Sequence, residues 1–283
     1  MRIPLPRTDD YIRAMTPAVP VQIKRYVSGH LTGEQPDVVV AEEPLEIRVE
    51  GRSLAVLMRT PGDDRELAAG FLLTEGIVKS AKDIFDITTC VTPSGAGKGN
   101  AVDVGLTHPG SVDFSKLSRH VFTSASCGIC GKTTIDAVLK RHRPLSDPVR
   151  IATKTLLSLP RRLVREQPTF QTTGGLHACA LFEAGGKLVG VREDVGRHNA
   201  LDKLIGFALL EKLTPLSGHI VLLSGRVSFE MMQKAHAAGI PIVAAISAPS
   251  SLAVTFAQEG GQTLAGFLRG RSLNVYAGAE RIV

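Results

Sequence analysis

Two cysteines separated by two residues, Cys127 and Cys130, are the residues in this sequence best suited to chemistry. Glycines lie beside them, Lys132 follows them, and residues 133–142 have the apolar spacing of a helix. A cysteine just before a helix lies at the positive end of the helix dipole, which favours the thiolate over the thiol. Because the thiolate is the nucleophile, the motif predicts sulfur chemistry.

The same spacing also occurs in structural zinc sites and in thioredoxin-like disulfide exchangers. A zinc site needs a second pair of ligands. The candidates are His177 with Cys179, or His198, and neither has the ligand spacing that is usual in zinc sites. A disulfide exchanger would need a thioredoxin-like pattern around the motif, and the sequence does not show one. We therefore expect sulfur chemistry without a permanent metal, with these two interpretations as the alternatives.

The composition is that of an ordinary α/β protein. The chain has 283 residues, of which 43% are hydrophobic, 21% charged and 5% aromatic. No apolar run approaches the length of a membrane span, and the N-terminus lacks the apolar core of a secretory signal. Four cysteines in a chain of this length are not a disulfide framework. We expect a cytoplasmic protein with reduced thiols and no membrane partner.

The net charge of +6 comes from the region beside the cysteines. Between residues 132 and 165, nine Lys or Arg stand against two Asp. These side chains form either a solvated helical face or a positive surface that attracts an anionic ligand or protein. A nucleic-acid partner is not expected, because no aromatic residues are interleaved with the charges.

The patterns predict three parts: a flexible tail over residues 1–20, a small α+β domain over 21–120, and an α/β domain over 121–283 that carries the CxxC loop at its start. In the small domain, alternating apolar residues predict a hairpin around Gly51. A helix is predicted to begin with a cap at Asp63 or Asp64 and to stop at Gly76. Two further strands are predicted, at 86–91 and 101–106.

The second half alternates short apolar strands with helical stripes. Strands are predicted at 177–182, 187–191, 219–223, 240–246, 263–268 and 273–276, with helices around 200–209 and after Ser228 and Ser250. This alternation indicates a largely parallel sheet covered on both faces. Ligands bind such sheets beyond the carboxyl ends of strands, where segments 224–226, 247–249 and 269–271 are expected.

Several motifs then follow one another in an order that is typical of one family. They occupy residues 74–77, 127–131, 173–177, 192–203, 224–230, 247–251 and 266–271. In this order they resemble the FdhD/NarQ family of formate dehydrogenase accessory sulfurtransferases. The resemblance covers nearly everything after about residue 40.

The resemblance implies a fold and an activity. The C-terminal domain would be a cytidine deaminase-like, three-layer α/β/α sandwich, with a smaller N-terminal α+β domain beside it. Deaminase chemistry does not carry over, because the sequence has no H-x-E motif and Ser126 stands where a deaminase needs proline. Such proteins accept persulfide sulfur from an IscS-like cysteine desulfurase. They pass it to the molybdenum (or tungsten) bis-guanine-dinucleotide cofactor, Mo-bisMGD, which is then installed in the formate dehydrogenase apoprotein.

The resemblance also implies site residues. Cys127 would carry the persulfide, and Cys130 would assist or receive the sulfur. The segment that matches the family's cofactor-binding residues comprises Phe267, Leu268, Arg269, Gly270, Arg271 and Ser272. Because the client carries two guanine-dinucleotide arms, we expect a homodimer that binds one GDP per chain.

Other residues are assigned from chemistry, with structural alternatives. Arg226 is expected to contact phosphates, and Asp194 to pair with a guanine edge unless it caps a helix or forms an ion pair. His177 and His198 are either proton carriers or structural hydrogen-bonding groups. Cys90 and Cys179 lie in apolar strands and are expected to be buried and inert.

Overall fold

The computed structural model describes residues 17–91, 98–111 and 143–283, and these form three β-sheets with helices. Residues 1–16 of the predicted tail lie outside the described residues. So do Cys127, Cys130, the helix predicted after them and the domain boundary predicted at residue 120. Among the helices that are described, none is long and apolar enough to span a membrane.

The chain first forms a two-stranded antiparallel ribbon that the sequence patterns did not predict. Its strands are β1 (Ala18–Val27) and β2 (His30–Val40), joined by Ser28 and Gly29, both of which have positive φ. Positive φ at both loop residues is the geometry of a tight hairpin turn. Most of the ribbon is exposed on both faces, so its strands lack the apolar alternation by which a half-buried strand is recognised.

A four-stranded sheet follows, in the order β4-β3-β6-β5. Its strands are β3 (Glu43–Val49), β4 (Arg52–Arg59), β5 (Ile84–Val91) and β6 (Lys98–Leu106). The hairpin predicted around Gly51 is confirmed, and the predicted helix is α1 (Asp64–Thr74). Asp63 lies at the N-cap position of α1 but makes no side-chain capping hydrogen bond, so the predicted cap is wrong.

The third sheet has six strands in the order β12-β11-β10-β9-β7-β8. They are β7 (His177–Glu183), β8 (Leu188–Asp194), β9 (His219–Leu223), β10 (Ile242–Ala245), β11 (Thr263–Arg269) and β12 (Ser272–Ala277). Only β9, β10 and β11 run parallel, so the prediction of a largely parallel sheet is wrong for the other half. The turns after β7 and β11 are short, and such turns can only join antiparallel strands.

Helices cover both faces of this sheet. They are α2 (Thr153–Arg165), α4 (Arg197–Leu210), α5 (Phe229–Ala237) and α6 (Ser251–Glu259), while the short helix α3 (Pro168–Thr173) packs against β2. On one face α2 buries Leu156, Leu159 and Leu163, and on the other α4 packs across β7 and β8. The sequence patterns did not predict α2, because Pro160 inside it is typical of a helix break.

The first helix packs directly on α4 and joins the two halves of the chain. A Cβ atom on Gly70 would overlap the carbonyl oxygen of Asp202, and one on Gly206 would overlap that of Glu66. The two helices therefore approach more closely than any side chain at these positions would allow. A single apolar cluster runs from β3 through α1 and α4 to β11, so the four-stranded and six-stranded sheets share one core.

Candidate functional site

The carboxyl ends of β9, β10 and β11 meet at one edge of the six-stranded sheet, since these strands are parallel. The main chain joins the segments that follow them: the Val227 N–H donates to the Ala248 carbonyl at 3.1 Å. The Phe267 N–H donates to the Ser247 carbonyl, also at 3.1 Å. The predicted segments 224–226, 247–249 and 269–271 thus lie at the same edge of the sheet. We call them, together with the rest of the segment from Phe267 to Ser272, the strand-end site.

The segment from Phe267 to Ser272 is the end of the β11–β12 hairpin, with Gly270 and Arg271 as its turn. Phe267 has a φ of 51°, and Gly270 a φ of 57°, which glycine adopts without strain. The guanidinium carbon of Arg269 lies 5.7 Å from the centre of the exposed Phe267 ring, and its Nε donates to the Ile246 carbonyl at 3.0 Å. Arg271 and Ser272 are also exposed. The segment offers an aromatic face and two cations to a ligand.

Leu268 differs from its neighbours in this segment. Its side chain is fully buried in the apolar cluster on the α2 face of the sheet. Leu268 can therefore offer only its main chain to a ligand. Leu268 belongs to the segment predicted to bind the cofactor, but the irregularity of β11 between Gly266 and Arg269 places its side chain on the same face of the sheet as Ala265, inside the apolar cluster.

Asp194 is enclosed and fully engaged, so the prediction that it pairs with a guanine edge is also wrong. Its carboxylate lies 2.8 Å from the Lys203 ammonium, and both side chains are almost completely buried. It also accepts hydrogen bonds from the Thr60 N–H at 3.1 Å, the Gly196 N–H at 2.8 Å and the Asn199 amide at 3.0 Å. The structural alternative holds: Asp194 fixes the start of α4 and joins it to the loop after β4.

A second buried ion pair joins α1 to α4 and α5. The Lys234 ammonium lies 2.8 Å from the Asp202 carboxylate, which also accepts a hydrogen bond from the Thr74 hydroxyl at 2.8 Å. Although burial acts to lower it, the Asp202 carboxylate raises the pKa of Lys234. Thr74 belongs to a motif that carried the family resemblance, and its role here is structural. Sequence reasoning did not anticipate Lys203 or Lys234 as partners, because charged lysines are rarely buried.

His177, Arg197 and His198 lie together beside the strand-end site. A Cβ atom on Gly225 would be 3.0 Å from the His177 Nδ1 and 3.9 Å from the Arg197 Cδ. Burial, aided by the charge of Arg197, lowers the pKa of His177. Burial also lowers the pKa of His198 to about 3, with Arg197 acting in the same direction. His198 is thus a neutral imidazole near pH 7, which disfavours the proton-carrier interpretation for it.

The four cysteines fall into two groups. Cys127 and Cys130 lie outside the described residues. Cys179 is buried in β7, and burial strongly raises the pKa of its thiol, which confirms it as inert. Cys90 is only half-buried, so its predicted burial is wrong. Among the described residues, no three His, Cys, Asp or Glu side chains are placed to hold a metal ion.

These features define a mixed α/β protein with a cation-rich site at the carboxyl ends of three parallel strands. The sequence matches the FdhD/NarQ family over residues 40–283, so the chain belongs to that family. The resemblance drawn from the order of the motifs is thereby confirmed.

Individual relatives agree with this membership. The sulfur carrier protein FdhD of Streptomyces coelicolor is 55% identical over 254 residues, which cover 88% of this chain and 90% of that protein. The protein of the same name in Mycobacterium tuberculosis is 48% identical over 267 residues, which cover 89% of this chain and 96% of that protein. A crystal structure from Desulfotalea psychrophila, titled as a candidate formate dehydrogenase accessory protein, matches with a TM-score of 0.74 at 28% identity. That match covers 95% of this chain and 100% of the other.

Proposed function

We propose that this chain is a sulfur carrier that serves the maturation of formate dehydrogenase. It accepts persulfide sulfur from an IscS-like cysteine desulfurase and transfers it to the molybdenum (or tungsten) bis-guanine-dinucleotide cofactor. The observation that carries this proposal is the family match over residues 40–283 together with relatives named as sulfur carriers. The activity is that of a sulfurtransferase.

Cys127 is the proposed sulfur carrier. Its thiolate attacks the terminal sulfur of the desulfurase persulfide, and the desulfurase cysteine leaves as a thiolate. Cys130, three residues on, assists this step or receives the sulfur. The described cysteines are poorer candidates, because Cys179 is inaccessible and Cys90 lies on a strand of the four-stranded sheet.

The strand-end site is the proposed docking place for the guanine-dinucleotide client. The exposed Phe267 ring provides a face on which guanine can stack, and Arg269 beside it adds a cation. Arg271 and Arg226 are exposed and suited to phosphate oxygens, while Gly270 and Ser272 let the main chain approach a ligand. Leu268 contributes its main chain only, and Asp194 supports α4 from behind.

The topology supports the finer assignment of the fold. The strand order β8-β7-β9-β10-β11 with helices on both faces is the arrangement expected of a cytidine deaminase-like α/β/α sandwich, with β12 as an added edge. We place the protein in the cytoplasm as a homodimer with one GDP site per chain and no metal of its own. Its proposed partners are the desulfurase, the cofactor and the formate dehydrogenase apoprotein.

Intact mass spectrometry after incubation with a cysteine desulfurase and cysteine tests the proposal. The wild-type chain and Cys90→Ala should gain sulfur, whereas Cys127→Ala should not. A reductant should remove the added mass, because a persulfide is reducible. If the wild-type chain gains no sulfur but still binds GDP, it escorts the cofactor without carrying sulfur, and the proposal is wrong.

A further inference from the structure

The outer face of α2 carries a row of cations. The apolar side of this helix packs on the six-stranded sheet, and Lys154, Arg161 and Arg165 are exposed on the opposite side. Residues seven and eleven positions apart in a helix lie on the same face, so these three side chains form one row about 17 Å long. We call this row the α2 stripe.

The charge of the α2 stripe is not neutralised by the described part of the chain. Its three cations form no ion pair with any carboxylate in residues 17–91, 98–111 and 143–283. Lys187, by contrast, lies 3.1 Å from the Glu183 carboxylate on the same side of the molecule. Between residues 150 and 166, five Lys or Arg stand against one Glu. The stripe is therefore a concentrated positive surface, which attracts acidic partners.

The stability of the helix does not account for the whole stripe. Arg165 lies in the last turn of α2, where the negative end of the helix dipole favours a cation. Lys154 lies in the first turn, which contains no acidic residue, and the positive end of the dipole disfavours a cation there. Because Lys154 opposes the dipole of its own helix, its place in the stripe favours a role in binding.

Two exposed apolar side chains border the stripe at its C-terminal end. Val164 on α2 is 50% exposed, and Phe170 on α3 is 38% exposed. The Gln171 amide donates a hydrogen bond to the Val164 carbonyl at 2.7 Å, which joins α3 to the end of α2. Aromatic side chains and arginines are enriched where proteins bind one another. This combination favours a protein rather than a small anion as the partner.

We propose that the α2 stripe, together with Val164 and Phe170, is the docking surface for an acidic face of the cysteine desulfurase. This inference rests on the proposed function, in which the desulfurase is the sulfur donor. The basic run that ends in α2 begins at Lys132, two residues after Cys130. Among the proposed partners, the desulfurase must bring its persulfide to Cys127, so docking on the same run of chain is expected. The strand-end site lies at an edge of the sheet rather than on this face, which leaves it open to the cofactor.

Charge reversal tests the role of the stripe. Arg161→Glu with Arg165→Glu should slow association with purified desulfurase about 10- to 100-fold at low salt, because complementary charges steer the two proteins together. The difference from the wild-type chain should shrink at high salt, which screens these charges. The matched control is Lys79→Glu with Lys82→Glu, which reverses two exposed cations before β5 and should associate as the wild-type chain does. Surface plasmon resonance measures both the association and the dissociation rate.

Two single variants separate docking from folding. Lys154→Glu should slow association without lowering the melting temperature, because glutamate suits the first turn of a helix. Phe170→Ser should speed dissociation and leave the salt dependence of association unchanged, because it removes an apolar contact rather than a charge.

Sulfur loading and GDP binding distinguish the possible outcomes. In Arg161→Glu with Arg165→Glu, Cys127 should gain sulfur more slowly, while the affinity for GDP should equal that of the wild-type chain. If this variant associates with the desulfurase and gains sulfur at the wild-type rate, or if the control is slowed as much, the inference is wrong. Binding of the stripe to duplex DNA or to phosphatidylglycerol vesicles, with normal desulfurase association in the variant, would also overturn it. If the stripe binds the desulfurase but wild-type Cys127 gains no sulfur, the docking surface stands and the proposed function fails.

Discussion

At the residue scale, the charged and polar side chains of one motif either hold the fold together or lie beside the strand-end site, and their burial decides between these two roles. The motif over residues 192–203 contains Asp194, which is buried against Lys203 and holds the start of α4. It also contains Arg197, which lies beside Gly225 of the strand-end site, and His198; the Arg197 Nε and the His198 Nε2 have no hydrogen-bond partner in the part of the chain that the structure describes. The sequence shows which residue types are present, but it does not show which side chains are enclosed. Asp194 was therefore assigned wrongly, although the motif around it was recognised correctly.

Replacement of His198 should change the pH dependence of stability. The folded imidazole takes up a proton only near pH 3, whereas an unfolded histidine does so near pH 6.5. Between these values the unfolded state binds more protons, so stability falls as the pH is lowered from about 6.5 toward 3. His198→Gln should reduce the slope by at most about 1.4 kcal/mol per pH unit. Urea unfolding followed by circular dichroism suits a chain without tryptophan.

His30→Gln is the matched control for this prediction, since it removes an exposed histidine from the first position of β2 in the ribbon. Its slope should equal that of the wild-type protein. Equal slopes for His198→Gln and the wild-type protein would show that His198 is not held neutral by its surroundings.

At the element scale, the sequence predicted elements that bury one face and missed elements that do not. The hairpin around Gly51 and the helix α4 have regular apolar patterns, and both are confirmed. The β1–β2 ribbon is exposed on both faces, and α2 contains Pro160, so neither has a clear pattern. The orientation of two successive strands depends on the length of the connection between them, because a short turn can only join antiparallel strands. The strands β8 and β12 follow short turns and are therefore antiparallel to β7 and β11, which their apolar composition alone does not indicate.

The crossing of α1 and α4 should depend on its two glycines. Gly206→Ala would place a methyl group against the Glu66 carbonyl, and main chain cannot move aside as a flexible side chain can. We expect a loss of about 3 kcal/mol or more in the free energy of unfolding. Gly185→Ala is the control, because its site is open and its backbone is unstrained. If both variants unfold at the same urea concentration, the helices are not in the close contact described.

At the scale of the whole molecule, the order of the motifs predicted the family correctly, and the family match covers residues 40–283. The strand-end site was also predicted in part, because parallel strands place their carboxyl ends at one edge. The side chains that face solvent at this site could not be predicted from the sequence. Leu268 is buried because of the geometry of β11, and Asp194 is buried in its ion pair with Lys203. A pattern along the chain indicates where a site lies but not which side chains face it.

Cofactor docking and sulfur loading should be separable in the whole protein. Arg269→Ala with Arg271→Ala should weaken GDP binding about 10- to 100-fold, because both exposed cations are lost, while Cys127 still gains sulfur. The matched control is Arg161→Ala with Arg165→Ala, which removes two exposed arginines from α2. Calorimetry should show one GDP per chain and much weaker ATP binding, and sedimentation should show a dimer. Equal affinities for GDP and ATP, or a strict monomer, would contradict the site model.

Cys127 is the residue that we propose to carry the sulfur that formate dehydrogenase needs. The most direct measurement is formate dehydrogenase activity in cells that lack their own sulfur carrier and express this chain or its variants at equal levels. The wild-type chain and Cys90→Ala should restore activity, and Cys127→Ala should restore none although it folds with the same melting temperature. Full activity with Cys127→Ala would show that Cys127 is not the sulfur carrier.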